Sequence, residues 1–179
     1  VTQVSRLLAS PNRQRLVADI PLLGTDRTAR VDYRDLHHVC DHDWRLYQTS
    51  SRHPRRTDYA ITRINGRNVY LHLHLWHCWE LPTVPVVDHE DGNGLHCTWL
   101  NLRDATVGQN NCNRGPLRTN TSGFKGVTWH KRDERWQAAI GTGNEQRFLG
   151  YFADAAEAAR AYDEAAKKFH GSFAVLNFR

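Results

Sequence analysis

Four residues between 88 and 110 combine the groups needed for hydrolytic chemistry: Asp88, His89, Asn101 and Asn110. A neutral imidazole titrates near neutral pH and can take a proton from water. Carboxylate and amide oxygens are hard ligands that suit Mg²⁺ or Mn²⁺ with open water positions. The stretch "VVDHEDGNGLHCTWLNLRDATVGQNNCNR", 86–114, supplies an apolar lead-in, a Gly/Asn turn at 91–94 and a second extended segment. Thr106 with Gln109 then makes a capping box that opens a helix with Asn110 in its first turns. A strand, a turn, an extended segment and a helix can fold Asp88 and Asn110 toward one point. Taken alone, Asp88-His89 could equally cap a turn, and both asparagines could be turn formers.

A second cluster, "HLHLWHC" at 72–78, places three histidines and a cysteine within seven residues. Imidazole and thiolate bind transition metals. Here, however, His72 and His74 alternate with Leu71, Leu73 and Leu75, the period of a half-buried strand with leucines inward. The cluster is expected to be a strand beside the 88–110 site, its histidines supporting that site from behind. Cys40, Cys78, Cys97 and Cys112 form no CxxC pair, so free thiols in a reducing compartment are expected and a zinc ribbon is not.

Positioning these groups falls to a strand-rich region at 19–76. "DIPLL", "ARVDY", "DYAITRI" and "NVYLHLHLW" read as strands, with Asn65-Gly66 as a hairpin turn between the last two. "DYRDLHHVCDHDW" reads as a short helix with Leu36, Val39 and Cys40 on one face. Arg52, Arg55, Arg56, Arg63 and Arg67 face Asp58 alone across 52–67, a candidate phosphate-contacting edge that could also be a solvated loop.

After an Asn/Gly/Thr-dense stretch the pattern restarts. "GFKGVTWH", "RWQAAIG" and "QRFLGYF" read as three short strands, and "DAAEAARAYDEAAKKFHG" as an amphipathic helix. Asp154 followed by Glu157 fits a capping box with Asp in the cap position, and Gly171 a C-terminal cap. Ala155, Ala158, Ala159, Tyr162, Ala166 and Phe169 fall on one stripe, and Phe124, Trp136, Phe152, Tyr162 and Phe169 are the expected aromatic core.

A net charge of +5, a pI near 9.2 and a mean hydropathy of −0.67 point to an anionic partner, nucleic acid first. No apolar run approaches bilayer-spanning length and no signal pattern opens the chain, so no membrane partner and an intracellular location are expected. The chain starts at Val1 without any methionine, which fits a fragment with residues missing upstream as well as a literally translated start.

Residues 86–114 resemble the HNH endonuclease family of the phage and homing type. That family's pattern is DH, then Asn in an "NL" pair, then Asn in a "QN" pair, at the order and spacing found here. The resemblance implies that Asp88 and Asn110 hold Mg²⁺ or Mn²⁺, that His89 is the general base, and that Asn101 holds the loop and orients the histidine. Two departures stand out: leucine follows His72 and His74 where the family has arginine, and His96-Cys97-Thr98 replaces the usual Asp-Asn-Arg after "GL". Residues 122–178, through "FKGVTWHKRDERWQAAI", "RFLGYF", "AAEAARAYDEAA" and "HGSFAVLNF", are similar to the ethylene-response-factor (Apetala-two type) DNA-binding domain, in which a three-stranded sheet enters the major groove. By position, Lys125, Gly126, Thr128, His130, Arg132, Gln146 and Phe148 fall where that family touches DNA.

The expected fold is α+β. A tail at 1–18 and a strand-rich region at 19–76 lead into an HNH ββα-metal motif at 77–115. A linker at 116–121 and a three-stranded antiparallel sheet packed on one helix at 122–179 follow. The expected function is a metal-dependent endonuclease that nicks double-stranded DNA in the cytoplasm of a phage or bacterial host, with no obligate protein partner. The alternative is a non-catalytic DNA-binding regulator derived from such a nuclease.

Overall fold

The computed structural model describes residues 16–49, 57–117, 119–143 and 145–178. It is an α+β protein that divides between Ala105 and Thr106 into two compact units, so that residues 77–115 are shared between them. Arg52, Arg55 and Arg56 lie outside the described residues.

In the first unit, β1 (Val17–Pro21) pairs antiparallel with β2 (Thr28–Asp32), and a short helix α1 (Leu36–Val39) follows. β3 (Arg45–Gln48), β4 (Asp58–Ile64) and β5 (Arg67–Tyr70) form an antiparallel sheet. Asn65 and Gly66 both adopt positive φ at the β4–β5 turn, the conformation an Asn-Gly hairpin demands. Of the expected α1 face, Val39 is buried and Leu36 half-buried, but Cys40 is exposed.

The expectation for "HLHLWHC" is corrected: residues Leu71–Cys78 form a helix, α2, not a strand. Leu71 and Leu75, one helical turn apart, are both fully buried, while Leu73 is exposed. A strand with inward leucines would have buried all three. Leucine favours helix, no β-branched residue occurs in the run, and Pro82 follows shortly after its end. Period-two leucines therefore also satisfied an i, i+4 pair, and burial of that pair won. Around them pack Ile20, Leu22, Val31, Val39, Trp44 and Leu102.

β6 (Val86–His89) pairs antiparallel with β8 (Leu102–Ala105), and β7 (His96–Cys97) lies parallel to β2. In the second unit, helix α3 (Val107–Cys112) opens on the expected capping box between Thr106 and Gln109. β9 (Val127–His130), β10 (Arg135–Thr142) and β11 (Glu145–Phe152) form one antiparallel sheet in the order β11-β10-β9. Helix α4 (Ala155–His170) is capped by Asp154, whose carboxylate accepts the N–H groups of Ala156 and Glu157, and ends at Gly171 with φ +55°. Its small alanines, Ala158, Ala159 and Ala166, let it lie close on Val127, Ala138 and Ile140 of the sheet. Phe124, Trp136, Phe152 and Tyr162 join this core. Phe169 does not: it is 40% exposed, with the guanidinium of Arg147 5.0 Å from its ring.

Candidate nucleic-acid interface

The 88–110 constellation is built as follows. Asp88 stands opposite Arg103 in the β6–β8 ladder, and Arg103 Nε donates to Asp88 Oδ2 at 2.9 Å, with both side chains only 5% exposed. This is a buried ion pair. A divalent ion at Asp88 would have to share that carboxylate with a guanidinium. His89 is buried too, with His72 4.9 Å away ring to ring and the Cys97 sulfur 3.7 Å from Nε2. Burial holds the His89 imidazole down to about 4 and that of His72 to about 3, so both rings are neutral at pH 7.

Asn101 ties a loop together. Its Nδ2 donates to Asp91 Oδ1 and to the His96 carbonyl, and its Oδ1 accepts the Asp91 N–H. Burial raises the Asp91 carboxyl, but hydrogen bonds from Asn93, His96 and Asn101 outweigh it and hold the group below the usual carboxylate range. Asn110 belongs to the second unit, where it sits half-buried on α3. Among the described residues no three His, Cys, Asp or Glu side chains gather into a group able to hold a metal ion.

The second unit presents a different surface. Register and alternation direct Val127, Trp136, Ala138, Ile140 and Phe152 toward α4, while Trp129, on the same side, stays 43% exposed with its ring against Trp136 at 5.0 Å. The same alternation directs Thr128 and His130 of β9, Arg135, Gln137 and Ala139 of β10, and Gln146, Phe148 and Tyr151 of β11 to the opposite face. A bulge between Ala138 and Ala139 keeps Phe148 and Tyr151 on that one face despite their odd spacing. Phe148 is 56% exposed and meets Tyr151 edge to face at 5.0 Å, and Tyr151 in turn meets His130 at 5.2 Å. His130 Nδ1 lies 3.2 Å from Asp133, and Arg132 stands almost fully in solvent at the β9–β10 turn.

Two of the seven positions carried over from the family behave differently. The Lys125 ammonium donates to the Cys112 carbonyl, and its backbone N–H donates to Asn177 Oδ1. Gly126, at φ +77°, lies under the Tyr162 ring, where an added Cβ would fall 2.0 Å from Cδ2. These two shape the unit from within. Sequence reading also missed Asp163. Buried on α4, it accepts the N–H groups of Asn177 and Phe178 and an amide proton of Asn177, fastening the closing "LNF" segment to the helix. The signal was a carboxylate in the apolar stripe of the helix, a position that is rarely left unpaired.

No protein-family model matches the chain. Relatives were found among plant proteins. The chain is 51% identical over 71 residues to the AP2-like ethylene-responsive transcription factor AIL7 of Arabidopsis thaliana, covering 35% of this chain and 14% of that protein. It is 49% identical over 71 residues to the AP2-like ethylene-responsive transcription factor CRL5 of Oryza sativa, 35% of this chain and 11% of the relative. With the AP2-like ethylene-responsive transcription factor TOE2 of Arabidopsis thaliana it shares 48% over 65 residues, 36% of this chain and 13% of that one. The chain thus spans about a seventh or less of the length of these relatives, and the similarity indicates an AP2-type domain of about 70 residues.

These matches correct the expectation of an enzyme. The relatives named are transcription factors, not HNH endonucleases. They are also plant proteins, not phage or bacterial ones. No helix among the described residues is long and apolar enough to cross a membrane.

Proposed function

We propose that this chain is a sequence-preferring regulator that binds double-stranded DNA through the outer face of β9, β10 and β11, without catalysis. The observation that carries this reading is the sheet itself: α4 covers one face, and the other holds hydrogen-bonding and aromatic side chains in the open. A β-surface of this width can enter a major groove and reach base edges. Arg132 and Arg135, both exposed at the β9–β10 turn and the start of β10, supply the cations for phosphate contacts in this reading. Such contacts fix orientation, and the strand side chains then choose among sequences. The transcription-factor relatives support the same reading.

The test is equilibrium titration of the full chain against a fluorescent duplex over a range of salt. Binding should weaken with salt at a slope of about −0.9 in log K per neutralised phosphate. Paired Arg132→Ala and Arg135→Ala replacements should flatten that slope by up to about two such contacts. Absence of duplex binding at low salt would overturn the proposal.

A further inference from the structure

The outer sheet face has more to offer base edges than phosphates. Of its side chains, Arg135 is the one cation, so charge cannot be its main currency. Phe148 leaves more than half of its surface in water, braced edge-on by Tyr151. An exposed ring held in a fixed orientation gains nothing from a phosphate and gains most from an apolar partner. Thr128 adds a second methyl-bearing group on the same face. The carboxamides of Gln137 and Gln146 have no hydrogen-bond partner among the described residues.

In the major groove the apolar group on offer is the 5-methyl of thymine. A carboxamide pairs best with the N6 and N7 of adenine, whereas guanine is read by arginine or lysine. Resting on the DNA-binding reading above, we propose that this face selects A·T base pairs, with Phe148 and Thr128 against thymine methyls and Gln137 and Gln146 on adenine edges. With Arg135 at the edge of the face and committed to a phosphate, the strands present no other arginine or lysine on this face to read guanine.

The experiment is selection of bound sites by the full chain from randomised duplexes, followed by titration of a recovered site with 2′-deoxyuridine in place of thymidine. Recovered sites should be rich in A·T pairs, and each contacted methyl removed should weaken binding about fourfold. Phe148→Ala should bind the thymidine and deoxyuridine duplexes more nearly alike, while Phe148→Leu should keep the difference. Sites rich in G·C, or deoxyuridine duplexes bound as tightly as the parent, would overturn the inference and leave the DNA-binding reading standing. Preference for the separated single strands over the duplex would also overturn it, pointing to stacking on Phe148 instead. If no duplex is retained at any salt, the inference and the reading beneath it both fail.

Discussion

Gly126 and Tyr162 meet so closely that the ring occupies the space a side chain at 126 would need: an added Cβ would lie 2.0 Å from one ring carbon and 2.3 Å from the next. The positive φ of +77° at Gly126 reinforces the requirement, since other residues are strained there. Tyr162 is itself fixed from behind by Ile140, Ala165 and Ala166. The pair therefore locks the start of the sheet to the middle of α4, and the outer face inherits its geometry from that lock.

Gly126→Ala should destabilise the second unit by about 2 to 4 kcal/mol, combining overpacking with backbone strain. Thermal unfolding checks this. A Gly126→Ala, Tyr162→Ala double variant should lose less than the sum of the two single losses, because removing the ring relieves the clash. Strict additivity would mean the two residues do not meet as described.

Acid should loosen the first unit before it affects most carboxylates. Burial holds His72 and His89 to about 3 and about 4, against 6.5 when unfolded. Between those values the unfolded chain binds protons that the folded chain refuses, so stability is full above about pH 6.5 and falls as pH is lowered. By pH 5 each imidazole should have cost about 2 kcal/mol. Urea unfolding of the parent at pH 7 and pH 5 gives the difference, and His72→Phe should remove roughly half of it. A parent equally stable at both pH values would contradict the buried placement of these rings.

The Asp88–Arg103 pair predicts an asymmetric mutational response. Arg103→Met leaves the Asp88 carboxylate buried without its guanidinium and should cost about 3 to 5 kcal/mol. Replacing both, as Asp88→Leu with Arg103→Met, should cost less than the single change, since apolar residues of similar volume fill the site without a charge to desolvate. Chemical denaturation distinguishes the two cases. A double variant worse than Arg103→Met would show that Asp88 is held by more than this pair.

What could be read from the sequence was local chemistry. Thr106 with Gln109 and Asn65-Gly66 formed as expected within a few residues, and of the Asp154/Glu157 box the structure gives the Asp154 half, a carboxylate accepting the Ala156 and Glu157 N–H groups. The three strands and the helix of the second unit were legible for the same reason. Harder features depended on pairing across distance. Nothing local says that Asp88 will face Arg103 fifteen residues later, so a carboxylate beside a histidine reads as a metal ligand until the ladder register is known. The leucines of "HLHLWHC" fit two periods at once, and tertiary burial of Leu71 and Leu75 decided between them. Phe169 fits the helical stripe by spacing, but at the C-terminal end of α4 its ring meets Arg147 of β11 and Lys168 rather than the apolar core, and it stays 40% exposed. The outer sheet face was only partly visible. Thr128, His130, Gln146 and Phe148 came from family resemblance, whereas Gln137 and Tyr151 needed the register and the bulge at Ala138/Ala139.

The central claim, that the outer face of β9, β10 and β11 is where DNA sits, is tested most directly by mapping backbone amide chemical shifts of the full chain as a duplex recovered by selection is added. The account predicts that the largest changes fall on residues 128–130, 135–139 and 146–151, with α4 changing little on its solvent side. Shifts confined to α4, or to the first unit around Asp88 and His89, would contradict it.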